Sequence, residues 1–155
     1  MNPSAVLIVG SPAACTVAVA ALGAAPHFAN AADIASAHGI HAALPILESD
    51  DRIAVALLLW EREDPAGLPL LVESIQAHQR NPLMAVCIRS EIALPPAIAD
   101  RLWELGVADR HFDQRWDGRE LADALLVVLR EHARHLMLCA IAEASTRLDK
   151  AGSFG

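Results

Sequence analysis

The chain's 155 residues are 54% hydrophobic and 20% charged, enough apolar material to bury one sizeable core within the usual size of a single domain. A formal net charge of −7, a pI near 5.4 and the absence of a basic stripe argue against a protein that neutralises phosphates along nucleic acid. Aromatic residues make up only 4%, with no tyrosine, so platforms for stacking single-stranded bases are missing too.

Cys15, Cys87 and Cys139 are widely separated and lack C-x-x-C spacing. The pattern suits reduced thiols acting as small core hydrophobes in a cytoplasm, and fits neither a disulfide framework nor a zinc site. The first charged side chain is Asp33. No Lys or Arg precedes the apolar N-terminal stretch and Gly10-Ser11-Pro12 breaks it, so neither a secretion signal nor a membrane span is expected.

Ala5 to Val9 reads as a short buried strand. Ser11 then offers an N-cap hydroxyl and Pro12 a first-turn proline for a helix to about Leu22, which Gly23 and Pro26 end. A weaker strand is expected within His27 to Ile34, followed by a helix from Ser36 to about Ser49 that Pro45 should kink or split. Ile53-Ala-Val-Ala-Leu-Leu-Leu-Trp60 carries apolar side chains on both faces and reads as a central strand covered by helices on each side. An acidic loop, Glu61 to Asp64, leads to a helix from about Ala66 to Gln79 with Leu68, Leu71, Val72 and Ile75 on one face. Leu83 to Ile88 reads as another apolar strand, and Pro95-Pro96 opens a helix stopped by Gly106. Val107 to Phe112 is read as a fifth strand. Asp117 and Glu120 then form an acidic capping pair before a helical pattern running to about Leu148.

Five alternations of strand and helix predict an α/β fold: a three-layer, doubly wound sheet of five parallel strands with an extended C-terminal helix. The internal boundary falls near Arg134. Residues 1–134 form the compact domain, and 135–155 a helix extension and linker leading toward a further output domain.

Leu-Ile-Val in the first strand, Leu-Leu-Leu before the third loop and Cys-Ile-Arg-Ser at the fourth strand together resemble the receiver domain of two-component response regulators, over roughly residues 5 to 132. In that family the third strand ends in a phosphorylated aspartate, an acidic pair after the first strand holds Mg²⁺, and a hydroxyl residue and a lysine follow the fourth and fifth strands. Here Trp60 stands at the acceptor position, Gly10 and Ser11 where the metal-binding acids belong, and Phe112 or Asp113 at the lysine position; Ser90 alone matches. An indole accepts no phosphoryl group, and neither Gly10 nor Ser11 brings the charge a hard cation needs. The resemblance therefore implies a degenerate pseudo-receiver with no metal and no cofactor.

Trp60 could fill the mouth of the old site and hold the loop after it. Glu61, Glu63 and Asp64 could offer a substitute carboxylate, but read more simply as a solvated acidic loop. His38 with His41, and His132 with His135, have i, i+3 spacing, yet no further ligand completes a metal set, so they read as helix-surface residues. No G-x-S-x-G, G-x-G-x-x-G or P-loop spacing is present, so the chain is not expected to be an enzyme.

The last helix carries Leu121, Leu125 and Val128 for the sheet, while Leu129, Leu136 and Ala140 fall on another face and run beyond it. The resemblance implies a protein interface drawn from Arg101, Trp103, Arg110, Arg119, Asp123, Arg130, Leu136 and Ala140. The expected function is a cytoplasmic, phosphorylation-independent regulatory module of a bacterial signalling protein. It would act by protein–protein contact, as a homodimer, possessing neither a nucleic-acid partner nor a membrane insertion. By family association the output domain could be one that makes or degrades cyclic di-GMP. The alternatives are a receiver-like wing domain used to assemble a PLP-dependent amino-acid decarboxylase, and a receptor for a small molecule above the strand ends.

Overall fold

The computed structural model describes residues 4–61, 64–108 and 117–152. Their elements run β1 (Ala5–Val9), α1 (Pro12–Gly23), α2 (Pro26–Ala29), β2 (Asp33–Ala37), α3 (Ile40–Ser49), β3 (Ile53–Trp60), a 3₁₀ turn (Pro65–Gly67), α4 (Leu68–His78), β4 (Ala85–Ser90), α5 (Pro96–Glu104) and α6 (Gly118–Gly152). The sheet is parallel throughout, in the order β2-β1-β3-β4.

Because β3 lies between β1 and β4 and is apolar on both faces, it needs a helical layer on each side. One layer joins Ala56, Leu58 and Trp60 to α3, α4 and α5 through Ala43, Leu47, Val72, Ile75 and Leu102. The other joins Val55 and Leu57 to α1 and α6 through Cys15, Ala18, Leu22, Leu121 and Leu125. On this second side α1 and α6 approach so closely that a Cβ on Gly118 would lie 2.7 Å from Ala21 Cβ, which explains a glycine in the first turn of a long helix.

Four strands are described, where the pattern predicts five. Most of Val107–Phe112 lies outside the described residues; Ala108 N donates to Val86 O at 2.8 Å, which lays the chain beside β4 on the side away from β3. The expected strand within His27–Ile34 is displaced. Pro26 opens a single helical turn that drives Phe28 into the core, and β2 follows at Asp33. As a half-buried edge strand, Asp33-Ile-Ala-Ser-Ala37 has little of the β-branched, apolar signature of a central one.

Helix α3 starts at Ile40 rather than Ser36 and is not split by Pro45. Pro45 and His41 both face solvent, so water can take the carbonyl that the missing N–H leaves unpaired. Strand β4 starts and ends two residues later than the apolar run suggests. Asn81 Oδ1 accepts from Leu83 N and Asn81 O from Met84 N, holding that stretch as a turn, while Arg89 and Ser90 are polar yet buried within the strand. At α6 the acidic cap forms as expected: Glu120 N donates to Asp117 Oδ1 at 2.8 Å.

Two further expectations change. Cys15 and Cys87 are buried, but Cys139 is exposed on α6. His132 is buried rather than on the surface, and Leu129 packs with the core instead of facing away from it. Among the described side chains His132 is the last buried one of α6. Asn81 Nδ2 lies 3.1 Å from Ile53 O and 3.1 Å from His132 Nε2, so one amide joins the start of β3 to α6 and the imidazole must accept through Nε2. Nδ1 then carries the proton and is buried without a partner.

Burial, and secondarily the charge of His135, holds the His132 pKa below its usual value. A protonated ring would also set an N–H against the amide it now accepts from. With the folded-state pKa depressed, the stabilisation is complete above the unfolded-state value of about 6.5 and is lost as pH falls through the lower folded-state value. Urea titrations between pH 7.5 and 5 should show stability falling, and His132→Leu should flatten that dependence. Asn81→Ala, which strands the buried ring, should cost about 1–3 kcal/mol at pH 7.5.

Candidate functional site at the carboxyl edge of the sheet

The strand order reverses between β1 and β3, so the place where an open α/β sheet offers a crevice is above Val9 and Trp60. A cavity of about 660 Å³ opens there, bounded by the N-termini of α1 and α3 and by α4, and lined by buried Leu58 and Trp60 together with Ser11, His38 and Glu61.

Gly10 and Ser11 leave β1 directly into α1. Ser11 Oγ accepts from Ala14 N at 3.2 Å as the N-cap, and donates to the Glu61 carboxylate at 3.1 and 3.2 Å to its two oxygens. Its hydroxyl therefore ties the end of β1 to the residue following β3. Glu61 also acts on Cys15, beneath the cap. Burial, and then the Glu61 charge, push the Cys15 thiol pKa upward, so it remains a protonated core group with its Sγ 3.8 Å from Ala37 O and 3.9 Å from Ile8 O.

Gly10 is fixed by space. A Cβ built there would stand 2.9 Å from Leu59 Cβ, closer than such atoms pack, because β1 and β3 are adjacent at this point. The position excludes an aspartate for the same reason that it excludes alanine.

Trp60 is buried among Leu58, Leu68 and Val72, and its ring edge comes within 3.9 Å of where a Cβ of Gly67 would stand, so the indole lies under the turn before α4. Trp60 and Ser90 are partners in the β3–β4 register. The Ser90 hydroxyl is turned into its own loop: it donates to Ile92 O at 2.9 Å and accepts from Ile92 N at 3.3 Å. Asp64 Oδ1 accepts from Ala66 N at the 3₁₀ turn. Thus Gly10, Ser11, Trp60, Glu61 and Ser90 share one edge of the sheet, while Phe112, Asp113 and Glu63 lie outside the described residues. Among the described residues no group of three or more His, Cys, Asp or Glu side chains could hold a metal ion.

No protein-family profile matches the chain, and no curated protein does. Its likeness is to solved structures. A response regulator receiver protein from Pseudomonas putida is 22% identical with a TM-score of 0.53, over 68% of this chain and 82% of its own. The pilus assembly protein CpaE from Caulobacter crescentus is 15% identical with a TM-score of 0.60, over 79% and 98%. A fusion protein carrying a trimeric coiled-coil segment of yeast Spc42 is 13% identical with a TM-score of 0.62, over 97% and 95%.

The chain has the receiver fold. At these identities the comparisons speak for the fold and leave the residues at the edge to be read from their own geometry.

The interface candidates divide. Arg101 on α5 pairs with Glu73 of α4 at 2.6 Å and with Glu104 at 3.3 Å, so it ties two helices of its own layer together. Trp103, Arg119, Asp123, Arg130, Leu136 and Ala140 are exposed, and Arg110 lies outside the described residues. Sequence reasoning missed the Asn81–His132 pair and the Ser11–Glu61 bridge. Both join residues about fifty positions apart, which no local pattern could announce.

Gly10→Ala should lower stability by about 1–3 kcal/mol in chemical denaturation, because the Leu59 contact leaves the new methyl no room. Ser11→Ala, which removes the helix cap and releases Glu61, should cost about 0.5–2 kcal/mol. A Gly10→Ala protein as stable as the parent would show that β1 and β3 separate easily here.

Proposed function

We propose that this chain is a pseudo-receiver: a regulatory protein–protein interaction and dimerisation module of a bacterial signalling protein, working in the cytoplasm without phosphoryl transfer. The observation that carries the reading is the packing at the sheet's edge. Trp60 ends β3 as part of the core, and Gly10 has no room for the acid a metal site would require. Ser11 and Ser90 have their hydroxyls committed to neighbouring groups, one capping α1 and bridging to Glu61, the other closing a turn.

The receiver fold, shared with a response regulator and with a protein named for pilus assembly, supports a role in contact rather than in chemistry of the chain's own. The contact surface is α6. Every residue from Ala133 to Lys150 is exposed, among them several large apolar side chains that a lone helix would leave in water. An output module, such as one that makes or degrades cyclic di-GMP, would be positioned through this helix.

Incubation with acetyl phosphate and Mg²⁺ should give no phosphoryl adduct in intact-mass spectrometry; an adduct on Glu61 or any neighbouring carboxylate would overturn the reading. Light-scattering mass over a concentration series should give a dimer for residues 1–155 and a monomer for a truncation ending at Arg134, which keeps every buried residue of α6. No helix among the described residues is long and apolar enough to cross a membrane.

A further inference from the structure

From the two faces of α6 we infer that its exposed length pairs with a second copy of this chain in a parallel, two-stranded seam formed by Met137, Ile141, Ala144 and Leu148. The inference rests on the dimerisation proposed above and assigns the residues and direction of that contact.

The spacing of these four residues alternates between four and three. Such alternation keeps a stripe facing a like helix when two helices supercoil, with Ile141 and Leu148 at one core position of the heptad and Met137 and Ala144 at the other. Met137 is 64% exposed, Ile141 55% and Leu148 73%, and Ala144 is exposed as well.

The stripe lies away from the body of the domain. At 3.6 residues per turn, the side chains that pack α6 onto the sheet and α1, from Leu121 to His132, centre roughly 130° around the helix from this seam. Val127, 54% exposed although it sits beside the body, falls on the seam side. Two copies can therefore close along the stripe while their sheets stay on opposite outer sides. Leu136 continues the body-facing side instead, and Ala140 flanks the seam, so neither is central to the contact.

What covers the stripe is a copy rather than the chain's own body, because the stretch from Ala133 to Lys150 reaches about 27 Å past the last buried residue. A neighbour of the same fold that matches 97% of this chain was solved fused to a trimeric coiled-coil segment of yeast Spc42, so a coiled coil is compatible with this fold, while the number of strands is read from this chain's own residues. Arg130 and Arg134 interrupt the apolar stripe between Val127 and Met137, setting the start of the seam at Met137. Ile141 as a β-branched residue at its core position favours two strands.

The test uses the full 155-residue chain and two readouts. Light scattering should give a dimer for the parent and for Cys139→Lys on the opposite face, and Ile141→Lys should weaken self-association by at least about a hundredfold with helicity unchanged in circular dichroism. In a Cys139→Ser background, Leu148→Cys should form an interchain disulfide in a glutathione redox buffer, since only a parallel, in-register pair sets the two positions side by side. A dimer that survives Ile141→Lys would overturn the seam while leaving dimerisation standing. Failure of Leu148→Cys to cross-link in a dimeric protein would overturn the parallel register, and a mass of three chains would overturn the pair. A parent that stays monomeric throughout the series would overturn both this inference and the dimerisation on which it rests.

Discussion

A strand with apolar side chains on both faces cannot lie at a surface, and β3 is such a strand over nearly its whole length. It must have a strand on either side to satisfy its backbone and a helical layer above and below to cover its side chains. β1 and β4 supply the first, and the two helical layers the second. The same burial brings Leu59 up to Gly10 at the end of the strand and carries Trp60 into the layer with α4. An acid at Gly10 is therefore excluded by packing and not only by residue type.

The residues at this edge of the sheet each have a structural use. Ser11 caps α1 and bridges to Glu61, Ser90 closes the turn after β4, and Trp60 fills the space under the turn that starts α4. A carboxylate at Gly10 would break the packing on Leu59 without supplying acids at the other positions. A cavity remains above the strand ends, with Glu61 as its exposed carboxylate and His38 at the start of α3, but its geometry is that of a crevice between helix ends rather than of a coordination sphere.

The sequence made the strong elements legible and hid the weak ones for physical reasons. β1, β3 and α4 are read within a few residues because burial on both faces or one apolar stripe leaves a trace, and α1 because Ser11-Pro12 and Gly23 mark its ends. β2 leaves almost none: at an edge, half-buried and rich in alanine, it follows from its pairing with β1, which is tertiary information. Histidine spacing suggested a surface pair at His132 and His135. Only the distant Asn81 explains why one of the two is buried. Of the edge, Gly10, Ser11, Trp60 and Ser90 could be located by strand endings alone, but the reason Gly10 must be glycine lies in Leu59, across the sheet.

α6 connects these constraints to function. It has no proline, and its only glycines are at its two ends, so nothing along 35 residues marks a hinge, and at 1.5 Å per residue it spans about 52 Å. Its first half is fixed on three sides: by the close packing of Gly118 on α1, by the apolar layer over β3, and by the Asn81 amide that holds His132. Its second half is exposed as far as Lys150. A continuous helix clamped at one end and free at the other transmits small rotations of its clamp to its tip, so a displacement of α1 or of the Asn81 turn would change the angle at which the exposed stripe leaves the body. The Asn81–His132 joint sits where the clamp ends. A change there alters the helix direction most for the least disturbance of the core, which is the mechanical arrangement the proposed interaction module would need if it is to report the state of its domain.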